Sequence, residues 1–423
     1  MTEVLVIGAG ITGSACAWRL AEAGFSVTVV HEAPIGGEAT GAGMGHLTVH
    51  EGEAGVWELA LAGRSLWERW AEELEPDIEY HRIGTLWLIP DEQAFILARR
   101  LQERFRDCGF RTELLDPVEL GRREPHLRPY WLGALYVPDD ATVYAPRAAW
   151  RLLERARARR ARLIRARVVA LEPDGVRLAG GVCLKADYTV IAAGVQAVEL
   201  LPDLPVRPRR GHLLVSERRP GLVRHALVSM SYSATVESRQ QASWAFNVHP
   251  RPNGQLLIGS CREWDVWDRR PDPKWGAQLL QEACRYIPEL ATTNVLRSWT
   301  GLRAASRDGR PLIGPHPQEP CWIVATAQEG LGITMAPAVA ELVWAYISAK
   351  EPPLDPSPYR LEDGYARIHH NPHQRPPCSR RARHHGGRRA GAAGTARLSP
   401  IPLGPAPWPP VRYRPLLRMP RAH

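Results

Sequence analysis

The sequence predicts an α/β protein: a doubly wound, mostly parallel sheet with a second domain of α+β character. Three observations carry this. Residues 4–32 run apolar strand, glycine-rich turn, helix, apolar strand and acid. Buried-strand signals of the same kind return far along the chain, after a strand-rich middle, which implies domains interleaved in sequence. The 423 residues, 44% hydrophobic and 23% charged, suit a soluble globular chain of about two domains.

Val4 to Ile7 is a continuous apolar run, as in a parallel strand covered on both faces. Ile11 to Glu22 reads as a helix that Gly24 ends, and Val27 to Val30 as a second buried strand. Together they form one βαβ unit. Val56 to Leu74 places Val56, Leu59, Gly63, Leu66, Trp67, Trp70 and Leu74 at helical spacing. Gly84–Pro90 reads as a strand. Asp91–Cys108 reads as a helix with Asp91 as N-cap, and Pro146–Arg160 as an arginine-rich helix. Strand signals follow at 167–171, 176–178 and 188–192, then at 211–216 and 255–260. Residues 275–290 look helical, and the last helix spans Ile333 to Ala349, where PPLDPSP stops it.

The net charge of +9 invites a nucleic-acid reading, but its distribution argues against one. Residues 369–423 hold 11 of the 54 basic residues and none of the 45 acidic ones, so the preceding chain carries a net charge of −2. The tail, 367–423, is rich in Pro and Arg and lacks apolar clusters that could offset ordering entropy; it is expected to be disordered. Its histidines (His369, His370, His373, His384, His385) offer at most adventitious metal binding. The seven cysteines are scattered, with no CxxC, which argues against a disulfide framework or a zinc site and suits a reducing compartment. No metal site is expected. No signal peptide fits before the first strand, and no apolar run is read as reaching the roughly 20 residues of a membrane span. A cytoplasmic location is expected, or one peripheral to the inner face of the membrane for a dehydrogenase.

Gly8-Ala9-Gly10-Ile11-Thr12-Gly13 has the form G-x-G-x-x-G. Gly8 makes the tight turn, Gly10 admits a pyrophosphate to the backbone, and Gly13 lets helix pack on strand. The helix N-terminus offers N–H groups to the phosphates. Glu32, at the end of the second strand, can accept hydrogen bonds from ribose hydroxyls and would repel the extra phosphate of NADP. An adenine dinucleotide follows, nicotinamide or flavin.

Two further segments favour flavin. Ala186–Gly194 (ADYTVIAAG) ends a buried strand in small residues, where Ala193 and Gly194 allow close approach to a ligand. The other is Trp299–Gly314 (WTGLRAASRDGRPLIG). At these residues the chain resembles the D-amino acid oxidase/dehydrogenase family of flavoproteins, a group that includes glycine oxidase, D-amino acid dehydrogenase and hydroxyproline dehydrogenase. The resemblance runs from about Val4 to Ser348. Ala304 departs from the family's proline after Arg303. Glu38–His46 resembles the loop along the flavin, with Thr40 for the usual Ser and Gly43 for a common Asn. Gln328–Thr334 resembles the loop before the last helix, with Ala327-Gln328 where Gly-His is frequent.

The resemblance implies a discontinuous, glutathione-reductase-like Rossmann domain for FAD (1–82, 145–210, 300–366) and an α+β substrate domain with an antiparallel sheet (83–144, 211–299). It implies FAD contacts at Gly8, Gly10, Ile11, Thr12, Gly13, Glu32, Thr40, Gly45, His46, Val168 (through its backbone), Ala193, Gly194, Gly330, Leu331, Gly332, Ile333 and Thr334. His46 and Glu329 read equally as flavin-lining groups or as loop residues. Arg303 is implied to pair with a substrate carboxylate, which a guanidinium fork fits bidentately. Asn247 stands where the family often has an aromatic. Arg262 is read as a solvated surface charge, with a second carboxylate, as in an opine, the alternative. The implied reaction is oxidation of the CH–NH bond of an amino or imino acid to the imine by hydride transfer to flavin. The electron acceptor, oxygen or a carrier or partner subunit, stays open. The competing readings are a nicotinamide-linked dehydrogenase and a polyanion-binding protein using the basic tail.

Overall fold

β1 (Glu3–Ile7) is apolar from Val4 onward because both faces are covered; only Glu3, at its end, is exposed. It runs parallel between β2 (Ser26–His31) and β12 (Tyr188–Ile191), with Val4 opposite Val27 and Tyr188. In this computed structural model, which describes residues 1–361 apart from 51, 54, 75–77 and 232–239, three more strands complete the sheet. β8 (Arg162–Arg165) lies parallel beside β2, and β19 (Trp322–Thr326) parallel beside β12. β18 (Leu312–Pro315) closes the edge antiparallel to β19, giving the order β18-β19-β12-β1-β2-β8. The expected tail, 367–423, with its histidines, lies outside the described residues.

α1 (Ile11–Glu22) leaves the glycine turn with its N-cap, Gly10, in extended conformation. It packs against α6 (Ala145–Ala158) and α9 (Gly332–Ser348). α9 also packs on α3 (Val56–Leu74), where Gly63 makes the contact possible: a Cβ there would lie 2.2 Å from the Thr334 carbonyl oxygen. One expectation is corrected here. The segment Glu329–Ser348 is long and apolar enough, by length and composition, to cross a membrane, yet 67% of its most apolar stretch is buried in the core. Its apolarity follows from being covered by α1, α3 and the sheet rather than lying on the surface.

The second sheet has eight strands. It contains β4 (Thr85–Ile89), β5 (Glu113–Leu115), β6 (Gly133–Val137), β13 (Val206–Ser216), β14 (Ala226–Ser229), β15 (Ala242–Pro250), β16 (Leu256–Trp264) and β17 (Val295–Ser306), in the order β17-β13-β16-β15-β14-β4-β6-β5. It is antiparallel except where β14 meets β4. α8 (Pro273–Tyr286), α4 (Glu92–Asp107) and α5 (Pro117–Arg123) pack on it. Asp91 caps α4 as expected, accepting from the Ala94 N–H at 2.9 Å. Smaller elements join the sheets: β9 (Val168–Glu172), β10 (Gly175–Leu178) and β11 (Cys183–Lys185) as a three-stranded meander, β3 (His46–Leu47) paired with β7 (Ala141–Thr142), and the short helices α2 (Ala39–Ala42) and α7 (Ala197–Leu200).

β13 and β17 pair along their whole lengths, Val206 with Ser306 and Ser216 with Val295. The expected domain boundaries at 210 and 300 therefore fall inside strands, and residues 206–210 and 300–306 belong to the antiparallel sheet. Thr300–Arg303 of the W-x-G-L-R segment, read as part of the nucleotide domain, thus lie in a strand of the other sheet.

Candidate active site

A cavity of about 690 Å³ runs between the two sheets, within the range of sites that enclose a large ligand. Its long arm is walled by backbone. Gly8 (φ +107) turns under the Ala192 carbonyl, where a Cβ would lie 2.5 Å from oxygen. A Cβ on Gly13 would lie 2.1 Å from the Gly8 carbonyl oxygen, so its role is the helix–strand contact; it packs behind the cavity rather than lining it. Gly10, Ile11, Thr12, Glu32, Val168, Ala193 and Gly194 line this arm. The Ile11 N–H donates to Thr40 Oγ1 at 2.9 Å, which ties the loop at 38–46 to the helix start. Glu32 is exposed at the rim, 3.9 Å from Arg167.

Thr40, Gly45 and His46 continue the wall, facing Gly330, Leu331, Gly332 and Ile333 at the start of α9. These residues bring the positive end of α9 to the cavity, and among the described residues no side chain caps it. Thr334 is a correction: it is fully buried, bonding the His46 carbonyl oxygen at 3.2 Å and the Thr48 N–H at 3.3 Å, and does not line the cavity. It fixes the loop from behind. Two helix N-termini on one cavity, joined by a trench that side chains would obstruct, fit a dinucleotide with a planar ring at its far end.

The other arm is a wall of side chains on the second sheet. Arg303 on β17 stands opposite Arg209 on β13, two residues before Gly211. Its guanidinium lies over Gly211, where a Cβ would sit 2.5 Å from Nη1, and Nη1 donates to the Cys261 carbonyl oxygen at 3.1 Å. Gly211 therefore makes the room that Arg303 occupies. Glu329 Oε1 meets three guanidinium groups: Arg262 Nε at 3.3 Å, Arg209 Nη1 at 3.6 Å and Arg303 Nε at 3.8 Å. Burial pushes this carboxyl up, but Arg262, Arg303 and Arg209 outweigh it and hold it at about 2. Arg262 is 1% exposed, so its reading as a solvated surface charge is overturned. It lies behind the cavity wall, paired with Glu329.

Asn247 on β15 lines the same wall, 4% exposed, beside Ser260 on β16. His249, two residues further along β15, is buried edge-on against His46, with ring centroids 4.4 Å apart. Burial lowers His249 to about 3. His46 Nε2 is hydrogen-bonded to Thr85 Oγ1 at 2.7 Å, and burial followed by His249 and His50 keeps His46 well below its ordinary value. Both imidazoles are neutral at pH 7.

Sequence reasoning does not single out Arg209, Gly211 or Ser260. It also misses the group His212, Cys261 and Glu263, on the sheet face away from the cavity, which has the chemistry of metal ligands. Arg210 holds both Glu263 oxygens at 2.7 and 3.0 Å. His212 Nε2 accepts the Asp272 N–H at 2.9 Å, which puts its proton on Nδ1, 3.3 Å from Cys261 Sγ. These groups already satisfy one another.

A glycine-walled dinucleotide trench ending at an arginine of the cavity wall on an antiparallel sheet defines a flavin-dependent oxidoreductase class of fold and site. Residues 3–345 match the family described as FAD dependent oxidoreductase, and the chain belongs to that family. It is 29% identical over 384 residues to glycine oxidase from Pseudomonas aeruginosa, covering 84% of this chain and 98% of that one. It is 26% identical over 373 residues to an opine oxidase component from Agrobacterium tumefaciens, covering 82% and 93%. The fold superposes on the crystal structure of glycine oxidase from Geobacillus kaustophilus with a TM-score of 0.77 at 26% identity, covering 85% of this chain and 99% of that one. The cofactor is FAD, and the trench residues named above would hold it.

Proposed function

We propose that the protein oxidises the CH–NH bond of a small amino or imino acid to the imine, with Arg303 as the carboxylate anchor. The observation that carries this is the Arg303 guanidinium, seated on Gly211 in the cavity wall and steered by the Cys261 carbonyl. The glycine oxidase and opine oxidase relatives support the same substrate class.

FAD, when bound, supplies the two-electron oxidising chemistry. The chain's own residues bind and orient. Glu329 neutralises part of the charge of three arginines and engages Arg303 on its Nε side. The substrate carboxylate then meets the remaining N–H edge in a site walled by Trp87, Leu213 and Val228, where a charge-assisted pair is strong. Oxidation of a neutral amine asks for no protein base, and the cavity chemistry agrees. Glu329 is too acidic to take a proton at neutral pH, and His46 is too weakly basic. The start of α9 in the cavity wall would favour a negatively charged group held there.

The test is anaerobic bleaching of the holoenzyme against a panel of D-, L- and cyclic amino acids and opines. Bleaching by at least one amino or imino acid, lost in Arg303→Ala, is expected. A yellow, folded protein that no member of the panel reduces would overturn the reading. Reoxidation of the bleached enzyme by air, compared with a soluble carrier, distinguishes an oxidase from a dehydrogenase that hands electrons to a partner protein.

A further inference from the structure

We propose that Asn247 and Ser260 form a subsite that selects substrates carrying a hydroxyl on the carbon beside the α-carbon, with the carboxylate held by Arg303; this rests on the role given to Arg303 above. β15 and β16 are adjacent, and Asn247 pairs with Gly259, the residue before Ser260. Both side chains reach the cavity wall. Asn247 is 4% exposed and Ser260 2%. Asn247 Oδ1 and Ser260 Oγ have no hydrogen-bond partner among the described residues.

Two buried oxygens left open in one wall are unusual, because such groups are nearly always paired. Their surroundings make the pair specific. Gly259 leaves its place to Leu213, whose Cδ2 stands 2.4 Å from where a Cβ would be. Val228 flanks Asn247 on β14, and Trp87 flanks Val228 on β4. Leu213, Val228 and Trp87 thus put apolar side chains beside these two oxygens. Ser260 also precedes Cys261, the residue whose carbonyl holds Arg303 Nη1. Along β16, Ser260 and Gly259, the residue paired with Asn247, thus precede by one and two positions the Cys261 carbonyl that holds the carboxylate anchor, and the subsite is assigned to a substituent on the carbon beside the substrate's α-carbon.

The missing partner is a donor. Asn247 Oδ1 can only accept, whereas the Ser260 hydroxyl can give or receive. A ligand hydroxyl satisfies both at once, donating to Asn247 and exchanging a bond with Ser260. A methyl group of the same size fills the space but leaves both oxygens unpaired. A site built to hydrogen-bond a hydroxyl rejects the analogue without it more strongly than an apolar pocket rejects a missing methylene.

The experiment uses the full-length holoenzyme and hydroxyl/methyl pairs: serine with 2-aminobutanoate, and threonine with valine, in both enantiomers. Wild type should favour the hydroxyl member by roughly 10- to 100-fold in kcat/KM. Ser260→Ala and Asn247→Leu should each move that ratio toward one. The non-oxidisable pair 3-hydroxybutanoate and 3-methylbutanoate, titrated by calorimetry, should give the same order of Kd in wild type and lose it in Ser260→Ala. This binding arm reports on the subsite even if no amino acid is oxidised, so the failure of the proposed function remains distinguishable. A ratio at or below one in wild type, or a ratio unchanged in Ser260→Ala, overturns the subsite. An equal fall for both members of each pair in Asn247→Leu would assign Asn247 to the shared backbone of the substrate and overturn it likewise. If Asn247→Leu does not fold, the Ser260→Ala ratio and Kd pair decide alone.

Discussion

The two arms of the cavity recognise their ligands by opposite means. The dinucleotide arm is mainly backbone: glycines at 8, 10 and 194 and two helix N-termini, with the Glu32 carboxylate at the rim. The substrate arm is side chains: Arg303 on Gly211, Glu329 among three arginines, and the open oxygens of Asn247 and Ser260. A backbone site tolerates change at a side chain but not the addition of one. A side-chain site behaves the other way, and each substitution in it changes which small molecule fits. One scaffold can therefore keep its cofactor while its substrate changes.

Substitutions that separate the arms test this contrast. Gly13→Val should have the largest effect, because its side chain would meet the Gly8 carbonyl at van der Waals-forbidden range. Purified protein should carry no flavin band and should not take up added FAD. Arg303→Ala should keep flavin near full occupancy and lower kcat/KM by about two to four decades, from the loss of one partner of a desolvated pair. Arg303→Lys should recover part of that, since an ammonium keeps the charge without the planar fork. Steady-state kinetics with flavin content measured on the same samples reads both arms together. If Arg303→Ala sheds flavin as Gly13→Val does, the separation fails.

Glu329→Gln sharpens the contrast through stability. It removes the carboxylate that the Arg209, Arg262 and Arg303 guanidinium groups share, the first two of them buried, which should cost roughly 3–5 kcal/mol at neutral pH. The wild-type pH dependence has a definite sign. The Glu329 carboxyl sits at about 2 in the folded protein against an ordinary value of 4.5. The stability it contributes is therefore complete above about pH 4.5 and is lost as pH falls toward 2. Denaturant midpoints measured down this range should fall steeply in wild type and less so in Glu329→Gln. Parallel curves would remove Glu329 from the account. The smallest effect is expected from Glu32→Ala at the exposed rim: roughly tenfold weaker FAD binding, the size of one charged hydrogen bond, with turnover at saturating FAD little changed.

The same contrast explains how much is legible in the sequence. The G-x-G-x-x-G turn, the strands flanking it and Glu32 are consecutive, and each glycine answers a local steric demand, so the dinucleotide arm reads directly from residues 4–32. β8 escapes such a reading because its Arg162 and Arg165 hide a short strand in an arginine-rich stretch. The substrate arm is assembled across β13, β15, β16 and β17, and no local pattern says that Gly211 clears space for Arg303 or that Arg262 is buried against Glu329. Arg303 itself is found through its motif. Arg262 is misplaced because an arginine in isolation reads as surface, and its burial depends on a carboxylate 67 residues away. Thr334 is drawn to the cofactor by its neighbours in the loop, but two positions past Gly332, about half a helical turn, it faces the core.

The central position of β1 has a consequence for how the chain is made. Its neighbour β12 is synthesised some 180 residues later, β19 beyond that, and the helix that covers α1 ends only at Ser348. At ordinary elongation rates the first strand waits on the order of tens of seconds before its sheet can close. Throughout that interval β2 can cover one edge of β1, but the other edge stays unpaired and α1 lacks its cover. Chains halted anywhere before residue 348 should be bound by chaperones or aggregate, whereas those released after it can complete the sheet in one cooperative step.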